Sequence, residues 1–196
     1  MPEIFYRKEA LELVANNLLK NYKFGKYLNG TPQAVPIEAI VEMEYGLNIE
    51  YLSLRKSGKV LGQTVFEDCL VPFYDKKLGI YNVVKAQAGT IFIDDSLLAP
   101  EMEGRLRYTL AHELAHWLLH QKIYGNTSQA AAKISESFDS GMEWQADTLA
   151  AAILLPKKQV KRAFYSMDGE KIEALAELFC VSHQAMRICL KSHNLV

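Results

Sequence analysis

Cysteine is scarce in this 196-residue chain, and its three copies lack the spacing of a metal site. Cys69, Cys180 and Cys189 form no C-x-x-C pair, so the sequence indicates neither a disulfide framework nor a cysteine zinc site. Three unpaired thiols are typical of a reducing compartment, and we expect a cytoplasmic protein.

Long apolar runs and an excess of one charge are missing too. No apolar segment approaches the ~20 residues of a membrane span. The N-terminal stretch MPEIFYRKEALELVANNLLK carries three glutamates, so we expect neither a signal peptide nor a membrane anchor. The formal net charge of −1 argues against a general polyanion binder. Hydrophobic residues make up 49% of the chain, which is enough for the core of a globular domain.

The order of the predicted elements indicates an α+β fold. Amphipathic spacing predicts a helix over residues 3–20, and Pro36 and Gly46 delimit a second helix. The segment LNIEYLSL alternates like a strand, and short β-rich runs between Gly58 and Asp94 predict a small antiparallel sheet. We expect this sheet to pack against a mainly helical core. The remaining predictions are helices over residues 105–120, 141–155, 157–166, 169–179 and 182–192, and a loop over residues 125–139.

The segment RLRYTLAHELAHWLLH carries an H-E-x-x-H pattern on a predicted helix. His112 and His116 are four residues apart, so both imidazoles lie on one face with Cβ atoms ~5–6 Å apart. That spacing lets both rings bind one Zn²⁺, and Glu113 is placed to take a proton from the attacking water. The same short pattern also occurs by chance in ordinary amphipathic helices. The apolar residues on either side favour a helix buried in a core.

A catalytic zinc site needs a third protein ligand. The metzincin pattern places glycine and histidine where this chain has Leu119 and Lys122, so that class is excluded. His120 extends the histidine stripe but lies ~12 Å from His112 along the helix axis, too far to share its ion. We interpret His120 instead as a histidine at the end of the helix, able to bond the last carbonyls.

A pair of acids in GMEWQADTLAAAILLP supplies a better third ligand. Glu143 and Asp147 are four residues apart on a strongly apolar helix, where an unpaired buried charge is costly. A divalent cation explains both, with Glu143 as the ligand and Asp147 accepting a hydrogen bond from a ligand histidine. The alternative is that both acids stabilise the helix N-terminus on a solvated face, which suits Glu143 better than Asp147. We predict a Zn²⁺ site with His112, His116 and Glu143 as ligands.

These segments resemble the ImmA/IrrE family of metallo-endopeptidases. The resemblance covers roughly residues 60–191 and is carried by GTIFIDDSLL, RLRYTLAHELAHWLLH and EWQADTLAAAILLP, and more weakly by LAELFCVSHQAMRICLK. It implies a gluzincin-like zinc peptidase fold, with zinc on His112, His116 and Glu143 and with Glu113 as the catalytic base. It also implies a protein substrate, because members of the family act on helix-turn-helix repressors of mobile elements, phages or stress responses, often encoded nearby.

The C-terminal segment leaves a second interpretation open. Residues 1–168 are predicted to form the peptidase domain, and residues 169–196 a helix-turn-helix-like segment packed on it, with Ser182 as a helix cap. The second helix of this segment carries only Arg187 and Lys191 as cations, so we expect nucleic-acid binding to be absent or weak. Two rival functions remain: a non-enzymatic, metal-stabilised regulator that binds a repressor or DNA, and a zinc hydrolase of non-peptide substrates.

Overall fold

The computed structural model describes residues 5–124, 140–168 and 171–196. The strands are β1 (Asn48–Leu52), β2 (Gly62–Thr64), β3 (Cys69–Asp75), β4 (Ile80–Ala86) and β5 (Thr90–Asp94). The α-helices are α1 (Lys8–Asn21), α2 (Lys26–Asn29), α3 (Ile37–Ala39), α4 (Glu103–Tyr124), α5 (Ser140–Leu154), α6 (Lys157–Ser166), α7 (Lys171–Phe179) and α8 (His183–Ser192).

The predicted α+β class is confirmed, and the strands divide into two small sheets. β5 lies at the centre of a three-stranded sheet, with β1 parallel to it on one side and β2 antiparallel on the other. β3 and β4 form a separate antiparallel hairpin, in which Pro72 pairs with Val83. The central sheet is therefore mixed rather than wholly antiparallel. The parallel pair is possible because the chain between β1 and β5 is long enough for a crossover connection.

The second predicted helix is shorter and less regular than its sequence pattern indicates. α3 passes after Ala39 into a π-helical turn over Ile40–Glu44. The chain then turns at Gly46, whose φ is +63°. A left-handed φ favours glycine, and this confirms the predicted end of the helix. α1 begins at Lys8 rather than at residue 3, and residues 1–4 lie outside the described ranges, as does the predicted loop over 125–139.

α4 and α5 pack side by side in the centre of one hydrophobic core. The buried residues of both helices include alanine beside leucine or isoleucine, and small side chains let packed helices approach closely. Every residue of β5 is buried as well, so the central sheet is held against the same core. Burial of each large side chain contributes ~1.5–3 kcal/mol. The fully buried residues on the two helices include Leu110, Ala111, Leu114, Ala115, Ala146, Leu149, Ala150 and Ile153.

The C-terminal helices contribute to this core too. Ser182 caps α8 as predicted, because its Oγ accepts a hydrogen bond from the backbone N–H of Ala185 at 3.1 Å. The turn before α8 lies against the start of α4, where a Cβ added at Gly104 would lie 3.1 Å from the backbone nitrogen of Ser182. No helix in the described ranges is long and apolar enough to cross a membrane. The buried residues of α7 and α8 in the main cluster are Leu175, Ala176, Phe179, Met186, Cys189 and Leu190.

Candidate metal centre

Three side-chain atoms of types that bind metals, the candidate ligand atoms, come together from α4 and α5. His112, His116 and Glu143 place one nitrogen or oxygen each within 4.8 Å of the other two. The Nε2 atoms of His112 and His116 are 2.9 Å apart, and the Glu143 carboxylate oxygens lie 3.3 Å and 3.5 Å from those two nitrogens. A tetrahedral zinc ion with bonds of ~2.0–2.1 Å sets neighbouring ligand atoms ~3.3 Å apart. The observed separations bracket that value, so this donor set fits a zinc ion.

Asp147 lies one turn after Glu143 on α5 and is hydrogen-bonded to His112. The Nδ1 atom of His112 donates a hydrogen bond to Asp147 Oδ1 at 2.9 Å, so its Nε2 faces the other two ligand atoms. The Tyr108 hydroxyl donates to the same oxygen at 2.9 Å. The sequence does not predict this last contact, although Tyr108 lies one helical turn before His112.

The carboxylates around the centre strongly favour positive charge. Burial lowers the pKa of His112, but hydrogen bonds to Asp147 and Glu143, together with the charge of Glu113, outweigh burial and raise that pKa to about 10. Hydrogen bonds from His112 and His116 lower the pKa of the Glu143 carboxyl to about 2. The site therefore favours a positive charge, which a divalent cation would supply.

Glu113 is buried beneath β2, beside the ligand atoms but not among them. The Thr64 hydroxyl donates a hydrogen bond to Glu113 Oε2 at 2.7 Å and lies 3.0 Å from the backbone carbonyl oxygen of Glu113. β2 passes so near that a Cβ added at Gly62 would lie 2.7 Å from Glu113 Oε1. The strand therefore confines the carboxylate on two sides. Sequence reasoning missed Thr64 and Gly62, because only tertiary packing brings β2 onto α4.

His120 is not the helix-terminal histidine that its position predicts. α4 continues to Tyr124, and the His120 ring is buried with 2% exposure. The Nδ1 atom of His120 lies 2.9 Å from the Nδ1 atom of His116. The other ring nitrogen of His116, Nε2, is the one that faces His112 and Glu143. Burial, assisted by the neighbouring His116, lowers the pKa of His120 to about 4, so its ring is neutral near pH 7. His120 contributes no atom to the group formed by the two other histidines and Glu143.

A cleft of about 390 Å³ opens over the ligand atoms. Residues 59–62 line this cleft together with Arg105, Tyr108 and Thr109 on α4. Glu113 and the three-residue ligand group lie in the same cleft. A substrate bound in this cleft can therefore reach both the ligand atoms and the Glu113 carboxylate.

The sequence profile of the family described as "IrrE N-terminal-like domain" (Peptidase_M78) matches residues 70–191. The chain belongs to this family. The family is one of metallopeptidases, and the matched range contains α4, α5 and therefore all three residues of the ligand group. The predicted resemblance to the ImmA/IrrE metallopeptidases is confirmed.

Among solved structures, a Mycobacterium tuberculosis transcriptional regulator has a similar fold, with a TM-score of 0.52 over 93% of this chain. The two sequences are 13% identical, so the likeness concerns the fold alone. This chain spans about half of that protein, covering 46% of its length. No curated protein matches the sequence.

Proposed function

We propose that this member of the IrrE N-terminal-like family is a zinc-dependent endopeptidase. In this proposal His112, His116 and Glu143 hold the zinc ion, and Glu113 is the catalytic base. One observation carries the proposal: three ligand atoms lie at separations that suit zinc, in a cleft that also contains a buried carboxylate. Membership of a metallopeptidase family supports it.

The protein's own side chains prepare the site for hydrolysis of a peptide bond. Bound zinc supplies Lewis-acid chemistry, which lowers the pKa of water toward ~7 and polarises a carbonyl group. Glu113 takes the proton of the attacking water and passes it to the leaving amine. Thr64 keeps the Glu113 carboxylate in one position through its hydrogen bond to Oε2. Asp147 keeps the His112 proton on Nδ1, so that the lone pair of Nε2 faces the ligand group.

We further propose that the substrate is a helix-turn-helix transcriptional repressor encoded nearby. The family supports a protein substrate, and the cleft that holds the ligand group is lined by residues 59–62 and by side chains of α4. The test pairs the purified chain with the repressor encoded beside it, in the presence and absence of a zinc chelator. We expect cleavage fragments, detected by mass spectrometry, only in the absence of chelator. Cleavage that persists in excess chelator would contradict the zinc mechanism.

The alternative is a non-enzymatic regulator that binds a repressor or DNA. α8 exposes Arg187 and Lys191 after a short turn, as a recognition helix would. Two cations are few for a DNA reader, and a buried Glu113 beside the ligand group has no role in such a regulator. We propose instead that residues 169–196 belong to the peptidase domain, because the buried side chains of α7 and α8 share its core. Salt-sensitive DNA binding without chelator-sensitive cleavage would favour the alternative.

A further inference from the structure

His120 is a buried histidine that the proposed reaction does not use. It lies on α4 one helical turn after His116, and its ring is 2% exposed. Burying an imidazole without polar partners is unfavourable, so its hydrogen bonding requires an explanation. The Nδ1 atom of His120 lies 2.9 Å from Nδ1 of His116, and the ring centroids are 5.1 Å apart. The two rings therefore interact directly through Nδ1 of His116, whereas Nε2 of His116 faces Glu143.

The position of the protons on the two rings follows from this contact. A neutral imidazole that offers its Nε2 lone pair to a metal carries its proton on Nδ1. The Nε2 atom of His116 faces His112 and Glu143, so its Nδ1 is the donor. Two ring nitrogens at 2.9 Å require one donor and one acceptor, so Nδ1 of His120 accepts the hydrogen bond.

The two ligand histidines are thus held by different kinds of acceptor. His112 donates to the Asp147 carboxylate, which is about half exposed, with a side-chain exposure of 54%. His116 is 1% exposed, and its acceptor is a neutral ring. A carboxylate in the place of His120 would bring another negative charge into the core beneath the centre, at a high desolvation cost. A neutral imidazole accepts the same hydrogen bond without that charge.

We propose that His120 is a positioning residue of the metal centre, which holds His116 in the tautomer and ring orientation that direct its Nε2 toward the ligand group. This inference rests on the proposed function, since it assumes that the group binds zinc. It extends the H-E-x-x-H pattern of this chain by one turn, with His120 acting through His116 and not on the metal.

Two substitutions separate the hydrogen bond from the packing. His120→Leu fills the space with an apolar side chain and removes the acceptor. His120→Asn keeps an acceptor, because asparagine Oδ1 occupies the position on its side chain that Nδ1 occupies on histidine. Loss of a partner that orients a metal ligand typically weakens metal binding ~10–100-fold. We expect that loss for His120→Leu and a change of only a few-fold for His120→Asn.

The experiment measures zinc affinity by competition with a chromogenic chelator and records the visible spectrum of the Co²⁺-substituted protein. Thermal unfolding of the zinc-free variants reports packing separately. Phe179→Leu is the control, because Phe179 is fully buried on α7, a helix that contributes no atom to the ligand group. It should lower the unfolding temperature and leave zinc affinity unchanged. His120→Ala serves as a second acceptor-free variant if His120→Leu does not fold.

The expected result is weak zinc binding and an altered Co²⁺ spectrum in the acceptor-free variants, with both restored in His120→Asn. Equal zinc affinity in the wild type and all His120 variants would overturn the assignment. An equal loss in His120→Asn and His120→Leu would overturn it as well, because it would indicate a packing role. If the wild-type chain binds no zinc, the proposed function itself fails. If the wild-type chain binds zinc and the His120 variants bind it equally well, only the role of His120 fails.

Discussion

Replacing Gly62 by alanine tests the closest approach between β2 and the proposed base. A Cβ at this position would lie 2.6 Å from Thr109 Cγ2, 2.7 Å from Glu113 Oε1 and 2.8 Å from Glu113 Cγ. All three atoms belong to side chains of α4, which shares the main hydrophobic core with α5. Relief of these contacts requires the Glu113 side chain to rotate and the Thr109 methyl group to move. We therefore expect Gly62→Ala to displace the carboxylate and to destabilise the fold.

The size of the effect follows from two contributions. Overpacking of this kind costs ~1–3 kcal/mol. Rotation of Glu113 also breaks its hydrogen bond from Thr64, and a hydrogen bond to a charged group contributes ~1.5–3 kcal/mol. The two contributions sum to ~2.5–6 kcal/mol, which lowers the unfolding temperature of a chain of this length by ~5–24 °C. Calorimetry of the zinc-free protein measures this directly, because metal binding does not then contribute to stability.

Gly104→Ala is the matched control. A Cβ there meets Val181 and Ser182 at 3.1 Å, which a shift of a few tenths of an ångström relieves, and alanine favours the helix by ~1 kcal/mol. We expect a change of stability within ~1 kcal/mol. Two of the three atoms that obstruct Gly62→Ala belong to Glu113, so the substitution should be less damaging in a Glu113→Ala background. Equal unfolding temperatures for Gly62→Ala and Gly104→Ala, or strict additivity with Glu113→Ala, would refute the reasoning.

Three further predictions concern the same centre. Thr64→Val removes the hydrogen bond to Glu113 and should lower kcat/KM about tenfold at unchanged zinc affinity. Thr64→Ser should restore the rate. A Thr64→Val enzyme with full activity would contradict this prediction. Zinc uptake at pH 7 should release about one proton, because the pKa of His112 is raised to about 10 and its ring must lose that proton to bind. Zinc affinity should therefore rise with pH up to about pH 10. Titration calorimetry in buffers of different ionisation enthalpy checks the proton release. A binding heat that is the same in all buffers would contradict it. Asp147→Asn should weaken zinc binding by ~10-fold or more in a chelator competition, and unaltered affinity would exclude its orienting role.

The helical pairs of the centre can be predicted from sequence because they depend on local geometry. His112 and His116, like Glu143 and Asp147, are four residues apart, and any α-helix places such residues on one face. The meeting of the two pairs is not local. It depends on the packing of α4 against α5, which the apolar and alanine-rich character of both helices makes plausible but does not define.

The contacts between β2 and α4 could not be predicted from the sequence. Thr64 and Glu113 are 49 positions apart, and neither residue type indicates the other. The parallel pairing of β1 with β5 is similar, because its register is set by a crossover of the intervening chain rather than by a turn. His120 illustrates a different limit. The predicted helix end lies at this residue, whereas α4 continues to Tyr124, and the histidine faces the core instead of the last carbonyls.

The most direct test of the account is a comparison of the wild type with Glu113→Gln, each loaded with zinc and incubated with the repressor encoded nearby. Glutamine preserves the shape of the side chain and cannot accept the proton, and Glu113 contributes no atom to the ligand group. We predict one zinc ion per chain in both proteins and a ~10²–10⁴-fold loss of cleavage rate in the variant. Cleavage by Glu113→Gln at the wild-type rate would contradict the assignment of Glu113 as the base.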